Sequence, residues 1–384
     1  MPLSKQRFAR PPTPPDTDTT LRRSERFYKR KDIPLDLSDA FDWQRDDSGA
    51  TKIGEKCYTF PRHPGLIYLP GYLNHDEQRD LIKLSLRDIP TPPNRTSLDA
   101  HYNLPNDGLW AHYASGTKTA VATPRADSEA PRATPSYYAP SGERPMINNA
   151  PSTFETLKEI ARSRNPEIPP SPTVKPLDGE KALYKLRWTN IGHYYHWGLK
   201  HYDFSVRDPL TNGAIAIPKQ VAQVCKEAVE AVPWQHTSVA DAAAEWKRSY
   251  RPDAGIINYY NLNDTLMAHV DRSEVTATLP LVSISLGHAA VFLIGDDMRE
   301  SSTPPTPIIL RSGDVVIMSG PTRRSYHGVP RILERSLPPH LAYDDERDDD
   351  DWEPFARYLA SARINVNVRQ SGLTDEQIAE LVSL

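Results

Sequence analysis

The stretch "RINVNVR", Arg363 to Arg369, lies close to the end of the chain. Its composition suits a β-strand, and on a strand successive side chains point to opposite faces. Ile364, Val366 and Val368 then share one face, and Arg363, Asn365, Asn367 and Arg369 share the other. An antiparallel sheet with one wet face produces such a pattern with no further meaning. A bound dianion facing the two arginines also produces it, and that reading needs partners elsewhere in the sequence.

The chain of 384 residues is long enough for two average domains or one large domain with extensions. Its 38% hydrophobic and 25% charged content is that of a folded protein, and its 37 prolines are about twice the usual share. A net charge of −4 excludes a uniformly basic binder. The run "DDERDDDDWE", Asp344 to Glu353, carries −7 by itself, so the rest of the chain is net +3 and has room for a local basic face. Two widely separated cysteines, Cys57 and Cys225, are too few for a disulfide framework and point to a reducing compartment. No apolar run reaches the roughly 18 residues of a membrane span. "KRK" at 29–31 reads as a nuclear address, and Lys5, Arg7 and Arg10 without early acids as a weak transit feature. The expected locations are nucleus and cytoplasm, with the mitochondrion as an alternative.

Four regions are expected: a polar, proline-spotted and mostly disordered tail (1–50), a strand-and-helix extension (51–113), an Ala/Pro/Ser-rich insert (114–180) and a strand-rich domain (181–384). An acidic loop within that domain, at 337–355, is expected to be solvated. Asn74 with Glu77, and Thr374 with Gln377, form capping boxes at the starts of two helices. Between residues 254 and 369 short strands follow one another, separated by Gly, Pro, Asp and Ser. That spacing favours a mainly β architecture with flanking helices, a sandwich or jelly roll rather than a parallel sheet.

"LMAHVDRSE" sets His269 and Asp271 two residues apart, on the same side of an extended segment. "RRSYHGVP" adds His327 just past the strand "DVVIMSG". Two histidines and a carboxylate on one face of a metal leave the opposite positions open, as in non-haem Fe(II) oxygenases, although zinc accepts the same donors. A 2-oxo diacid chelating such an iron would leave its far carboxylate needing a fixed cation. Arginine suits that task through its planar fork of donors.

In order, "NYY" (258–260), "HVD" (269–271), "PLVSISLGHAAVFLIG" (280–295), "SGDVVIMSG" (312–320), "YHGV" (326–329) and "RINVNVRQ" (363–370) resemble the AlkB family of Fe(II)/2-oxoglutarate dioxygenases. "RTSLDAHYNLPNDGLW" (95–110) and "LRWTNIGHYYHW" (186–197) are similar to its homologue-1 branch. The resemblance implies a double-stranded β-helix core with His269, Asp271 and His327 as iron ligands. It implies a 2-oxoglutarate pocket lined by Asn258, Tyr260 and Asn365, with Arg363 on the far carboxylate and Arg369 steadying the carboxylates nearer the metal. The implied reaction consumes 2-oxoglutarate and O2, hydroxylates an N-methyl group of a base in tRNA, other RNA or DNA, and releases succinate, CO2 and formaldehyde. Trp110, His193, Tyr194, Tyr195, His196 and Arg299 fall where the family contacts its substrate. Lys200 stands close enough to that aromatic stretch to approach a phosphate. One departure is Ser273, where bacterial AlkB carries a second acid that helps to read the base; Glu274 follows it. A histone or protein demethylase on the same iron, and a silent nucleic-acid-binding scaffold, are the competing readings.

Overall fold

The computed structural model describes residues 19–45, 49–125, 152–162, 173–197, 201–204, 206–271, 273–298, 301–349 and 351–384. An eight-stranded antiparallel sheet forms the larger layer. Its spatial order is Thr51–Gly54, Cys57–Phe60, His63–Leu69, Val315–Met318, Leu281–Gly287, Ala362–Arg369, Ala254–Asn261 and Trp188–Gly192. A four-stranded antiparallel sheet, Leu266–His269, His327–Ile332, Ala290–Ile294 and Thr306–Leu310, forms the smaller layer. Residues from both layers line one cavity of about 300 Å³.

The strand Ala362–Arg369 sits inside the larger sheet, between Leu281–Gly287 and Ala254–Asn261. Ile364, Val366 and Val368 are fully buried in the main apolar core, so the alternation read from the sequence holds. The opposite face meets the cavity rather than bulk water: Arg363, Asn365, Asn367 and Arg369 all line it. A strand buried on both faces still alternates when one of its two surroundings is polar.

Helices flank the larger sheet, and those at 75–83 and 219–231 pack into the core on its outer face. His75–Lys83 and Asp375–Ser383 start at the expected Asn74 and Thr374 capping boxes, with both reciprocal hydrogen bonds present. Lys219–Ala231 buries Val221, Val224, Cys225, Ala228 and Val229 along one stripe. The expected extension contributes strands to the sheet itself, His63–Leu69 pairing with Val315–Met318. Within the expected insert, Phe154–Arg162 is a helix packed on the C-terminal helix, and 126–151 lies outside the described residues.

Two expectations are corrected. The 1–50 tail is not uniformly unstructured, because Thr20–Lys29 is a helix that buries Leu21, Glu25 and Tyr28. Those three residues stand four and three apart, one stripe of a helix, which the surrounding charge conceals. The acidic run is not simply a solvated loop either. The Asp348 side chain is fully covered and pairs with Arg79 at 2.7 Å and Arg347 at 2.8 Å. Trp352 is buried beneath the Arg79 guanidinium. No described helix is long and apolar enough to cross a membrane. Both cysteines are free and buried.

Candidate metal centre and cofactor cavity

His269 ends one strand of the smaller sheet and His327 begins its neighbour. The antiparallel register sets the two residues directly opposite each other. Asp271 follows two residues on, where the chain leaves the sheet. The ligand atoms of His269, Asp271 and His327 all lie within 4.8 Å of one another. Asp271 Oδ1 is 3.7 Å from His269 Nε2, and Oδ2 is 3.9 Å from His327 Nε2. These gaps are too long for hydrogen bonds and short enough for donors that share an ion.

The chemistry of the set fits a metal. Nδ1 of His269 donates to the Met267 carbonyl at 3.0 Å, and Nδ1 of His327 to the Ser325 carbonyl at 3.1 Å. A carbonyl only accepts, so each Nδ1 carries the ring proton and each Nε2 turns a lone pair inward. Asp271 Oδ2 is buried without a hydrogen bond, a costly state for a carboxylate oxygen that a cation would relieve. Burial pushes the Asp271 carboxyl up, but Arg369, His269 and His327 outweigh it and hold the group well below the usual carboxylate range.

Arg369 is 6% exposed and reaches Asp271 Oδ2 at 3.4 Å and Glu274 Oε1 at 3.2 Å. Glu274 is fully buried. It also takes Arg323 at 2.9 Å and the Tyr202 hydroxyl at 2.8 Å. Burial alone would raise this carboxyl, but the two guanidiniums keep it low. The shell around the metal donors is therefore a charge-compensated network of two acids and two arginines.

Arg363 differs. It is 1% exposed and donates to the His288 carbonyl and the Ser285 hydroxyl, each at 2.7 Å, while its Nε is buried without a partner. Among the described residues no carboxylate lies within ion-pair distance. Burial pulls its pKa down to about 10, which leaves it a cation at neutral pH. Register places Tyr260 opposite Arg363 and Asn258 opposite Asn365, so the four form a block on one face, all lining the cavity. Asn365 Nδ2 donates to Ser283 Oγ at 2.8 Å and to the Ile284 carbonyl at 3.0 Å, which aims the amide oxygen away from those acceptors.

A 2OG-Fe(II) oxygenase superfamily model matches residues 146–369, more than half of the chain. The chain is 30% identical over 362 residues to the tRNA demethylase abh1 of Schizosaccharomyces pombe, covering 91% of this chain and 94% of that one. It is 29% identical over 379 residues to the DNA N(6)-methyladenine demethylase ALKBH1A of Arabidopsis thaliana, covering 92% and 96%. It is 27% identical over 355 residues to the mouse (Mus musculus) nucleic acid dioxygenase ALKBH1, covering 88% and 72%. This chain is a 2OG-Fe(II) oxygenase of the AlkB homologue-1 branch.

The cofactors of this oxygenase are Fe(II), 2-oxoglutarate and O2. Of the substrate contacts expected for it, Tyr195 lines the cavity beside the metal donors. Tyr194, His193 and His196 are not among the lining residues. His193 is buried against Phe204, with ring centres 4.8 Å apart, and His196 is buried with its ring beside those of His201 and Tyr194. Strand alternation explains the split. In the hairpin Tyr194–His196/His201–Asp203, Tyr195 and the residue two further on share a face. That residue is Trp197, which lines the cavity and was missed in the sequence. Trp110 is corrected more sharply. It lies in the main core, stacked on Phe355 with ring centres 4.0 Å apart. Arg299 and Lys200 lie outside the described residues. Ser273 lines the cavity, whereas Glu274 next to it turns into the arginine network.

Proposed function

We propose that the protein removes N-linked methyl groups from bases in nucleic acid, coupled to decarboxylation of 2-oxoglutarate to succinate and CO2, with formaldehyde as the second product. One observation carries the reading: Arg363 is a buried guanidinium with no acidic partner among the described residues, in the same cavity as His269, Asp271 and His327. A buried cation is costly unless something pairs with it, and a dicarboxylate is the simplest ligand that would do so while reaching a metal. We read the two facing sheets as the double-stranded β-helix of this superfamily, with the cavity between them.

His269, Asp271 and His327 would hold the iron, and bound Fe(II) with O2 supplies the oxidising power that hydroxylates the methyl carbon. The chain's own groups do the rest. Arg363 clamps the far carboxylate of 2-oxoglutarate with a rigid fork, and Tyr260, Asn258 and Asn365 flank the keto-acid. Arg369 fixes the Asp271 carboxylate, and Glu274 fixes Arg369. Tyr195 and Trp197 offer ring faces on which a base taken out of its stack can rest next to the metal. The apolar wall of Leu281, Phe292, Leu310, Val316 and Val329 keeps water from the reacting carbon. The names of the relatives, two demethylases and a nucleic acid dioxygenase, support the substrate class.

The test is release of succinate and formaldehyde with Fe(II), 2-oxoglutarate and one of three candidates: an N-methylated RNA stem-loop, an N-methylated single-stranded DNA, or a methylated peptide. Stimulation by a methylated oligonucleotide over its unmethylated twin is the expected result. Turnover confined to the peptide would move the activity to protein demethylation. Nucleic-acid binding with no succinate from any substrate would leave a silent scaffold.

A further inference from the structure

The helix Thr20–Lys29 has no role in holding the metal or the keto-acid, yet it is fastened to the strand that carries the first metal donor. Glu25 Oε1 accepts from the backbone N–H of Ala268 at 2.6 Å, between Met267 and His269. At its start, Thr20 Oγ1 donates to the Ser301 carbonyl at 2.7 Å. Leu21 and Tyr28 are buried on the same stripe. This inward stripe fixes which way the other residues face. From Thr19 to Asp32 the segment holds six basic residues and two acids: Glu25 is turned inward, and Asp32 pairs with Arg30 at 2.8 Å. Arg23, Arg26, Lys29 and Arg30 are exposed, in a chain whose net charge is −4. Phe27 stands among them at 41% exposure, an aromatic face with no core to enter.

Position makes this patch more than a solvated face. Met267, 57% exposed on the clasped strand, is itself part of the cavity wall. The helix that carries the basic face is therefore one strand removed from the cavity. From Arg23 to Lys29 the helix rises about 9 Å. At the roughly 3.4 Å axial spacing of phosphates along one strand, that length serves about three of them. A ring interleaved with arginines adds a stacking platform for a base.

We infer that the outer face of the Thr20–Lys29 helix is the phosphate-binding arm of the enzyme, gripping the nucleic-acid strand beside the base that enters the cavity. The inference rests on the nucleic-acid reading above and deepens it. Arg23, Arg26 and Lys29 supply backbone charge, Phe27 supplies a stacking face, and Glu25 is a positioning residue that keeps the arm against the rim.

The test is binding of an unmethylated RNA stem-loop and an unmethylated single-stranded DNA to the full chain across a range of salt. The triple variant Arg23→Ala/Arg26→Ala/Lys29→Ala is expected to lose about tenfold in affinity at moderate salt. Its slope of log affinity against log salt is expected to shrink by about 2, the value for three lost phosphate contacts to a single strand. The charge-keeping variant Arg23→Lys/Arg26→Lys/Lys29→Arg is expected to retain both affinity and slope, which separates charge from helix structure. A control triple, Lys226→Ala/Lys247→Ala/Arg248→Ala, removes three exposed cations from helices that line no part of the cavity and is expected to leave the slope unchanged. Equal loss in both alanine triples, or an unchanged slope in the first, overturns the arm. If methylated oligonucleotide is turned over normally by the first triple at limiting substrate, the arm fails while the demethylase reading stands. If the wild-type chain binds neither nucleic acid, both fall. Binding of phosphatidylserine vesicles by this face, with no effect of the triple on nucleic acid, would reassign it to a lipid surface.

Discussion

Arg369 Nη1 lies 3.4 Å from Asp271 Oδ2, and it is held there from behind by Glu274, 3.2 Å away. The candidate metal-donor carboxylate thus leans on a guanidinium that is itself neutralised by a second, fully buried acid. Glu274 also carries Arg323 and the Tyr202 hydroxyl. Glu274→Ala strands two buried arginines with one acid between them. Unfolding by denaturant is expected to show a loss of about 3–5 kcal/mol, the range for breaking a buried pair. A loss below about 1 kcal/mol would mean that water reaches these groups.

Arg363 presents the opposite case, a buried cation that no carboxylate among the described residues pairs with. Arg363→Ala is expected to weaken 2-oxoglutarate by about 2–5 kcal/mol, or about 30-fold or more, as read from succinate release against cosubstrate concentration. The near-isosteric Arg363→Met is expected to lose the cosubstrate as badly while leaving the thermal midpoint of the cofactor-free protein unchanged or raised, since it removes an uncompensated charge. Arg363→Lys keeps a charge without the fork, so its affinity is expected to fall between that of the wild type and those of the two uncharged variants.

Trp197 and Trp110 give a paired test of where substrate is felt. Trp197→Ala is expected to raise KM for methylated oligonucleotide by about 1–3 kcal/mol of lost stacking, with substrate-free succinate formation untouched. Trp110→Ala is expected to act on stability, about 3–5 kcal/mol for an aromatic removed from the core, and not on KM of the folded fraction. Oligonucleotide titrations at a temperature where both variants are folded separate the two.

His63 supplies a pH dependence remote from the metal. It is 2% exposed, with Nε2 2.8 Å from Thr306 Oγ1, and burial, helped by Arg62, lowers its pKa from the ordinary 6.5 to about 4. The unfolded chain therefore binds the extra proton first. Its contribution to stability is full above pH 6.5 and is lost as pH falls toward 4. Between pH 7 and pH 5 the loss amounts to about 2 kcal/mol. His63→Gln keeps a hydrogen-bonding group without the titration and is expected to flatten that part of the stability curve by the same amount. A curve as steep as that of the wild type would show that other groups set it.

The sequence carried the site where chemistry and local period coincide. His269 and Asp271 stand two apart on an extended segment, and parity alone in "RINVNVR" put both arginines on one face. What parity left open was what that face meets, and only the second sheet turns a polar row into a cavity floor. Parity also needs a known starting face. Four consecutive residues, His193 to His196, could not all point one way, and the pair that lines the cavity is Tyr195 with Trp197. Glu274 and Arg323 are 49 residues apart and obey no local pattern, so their pairing is a property of the closed fold. The helix at Thr20–Lys29 was hidden because its buried stripe includes an acid, Glu25, whose partner is a backbone N–H of another strand.

The most direct measurement is an anaerobic titration of the Fe(II)-loaded protein with 2-oxoglutarate, followed by the visible absorption that appears when a keto-acid chelates ferrous iron. The wild-type chain is expected to saturate, Asp271→Ala to give no band at any concentration, and Arg363→Ala to need about 30-fold more cosubstrate or higher. A band in Asp271→Ala, or the same saturation point in Arg363→Ala as in the wild type, would contradict the account at its root.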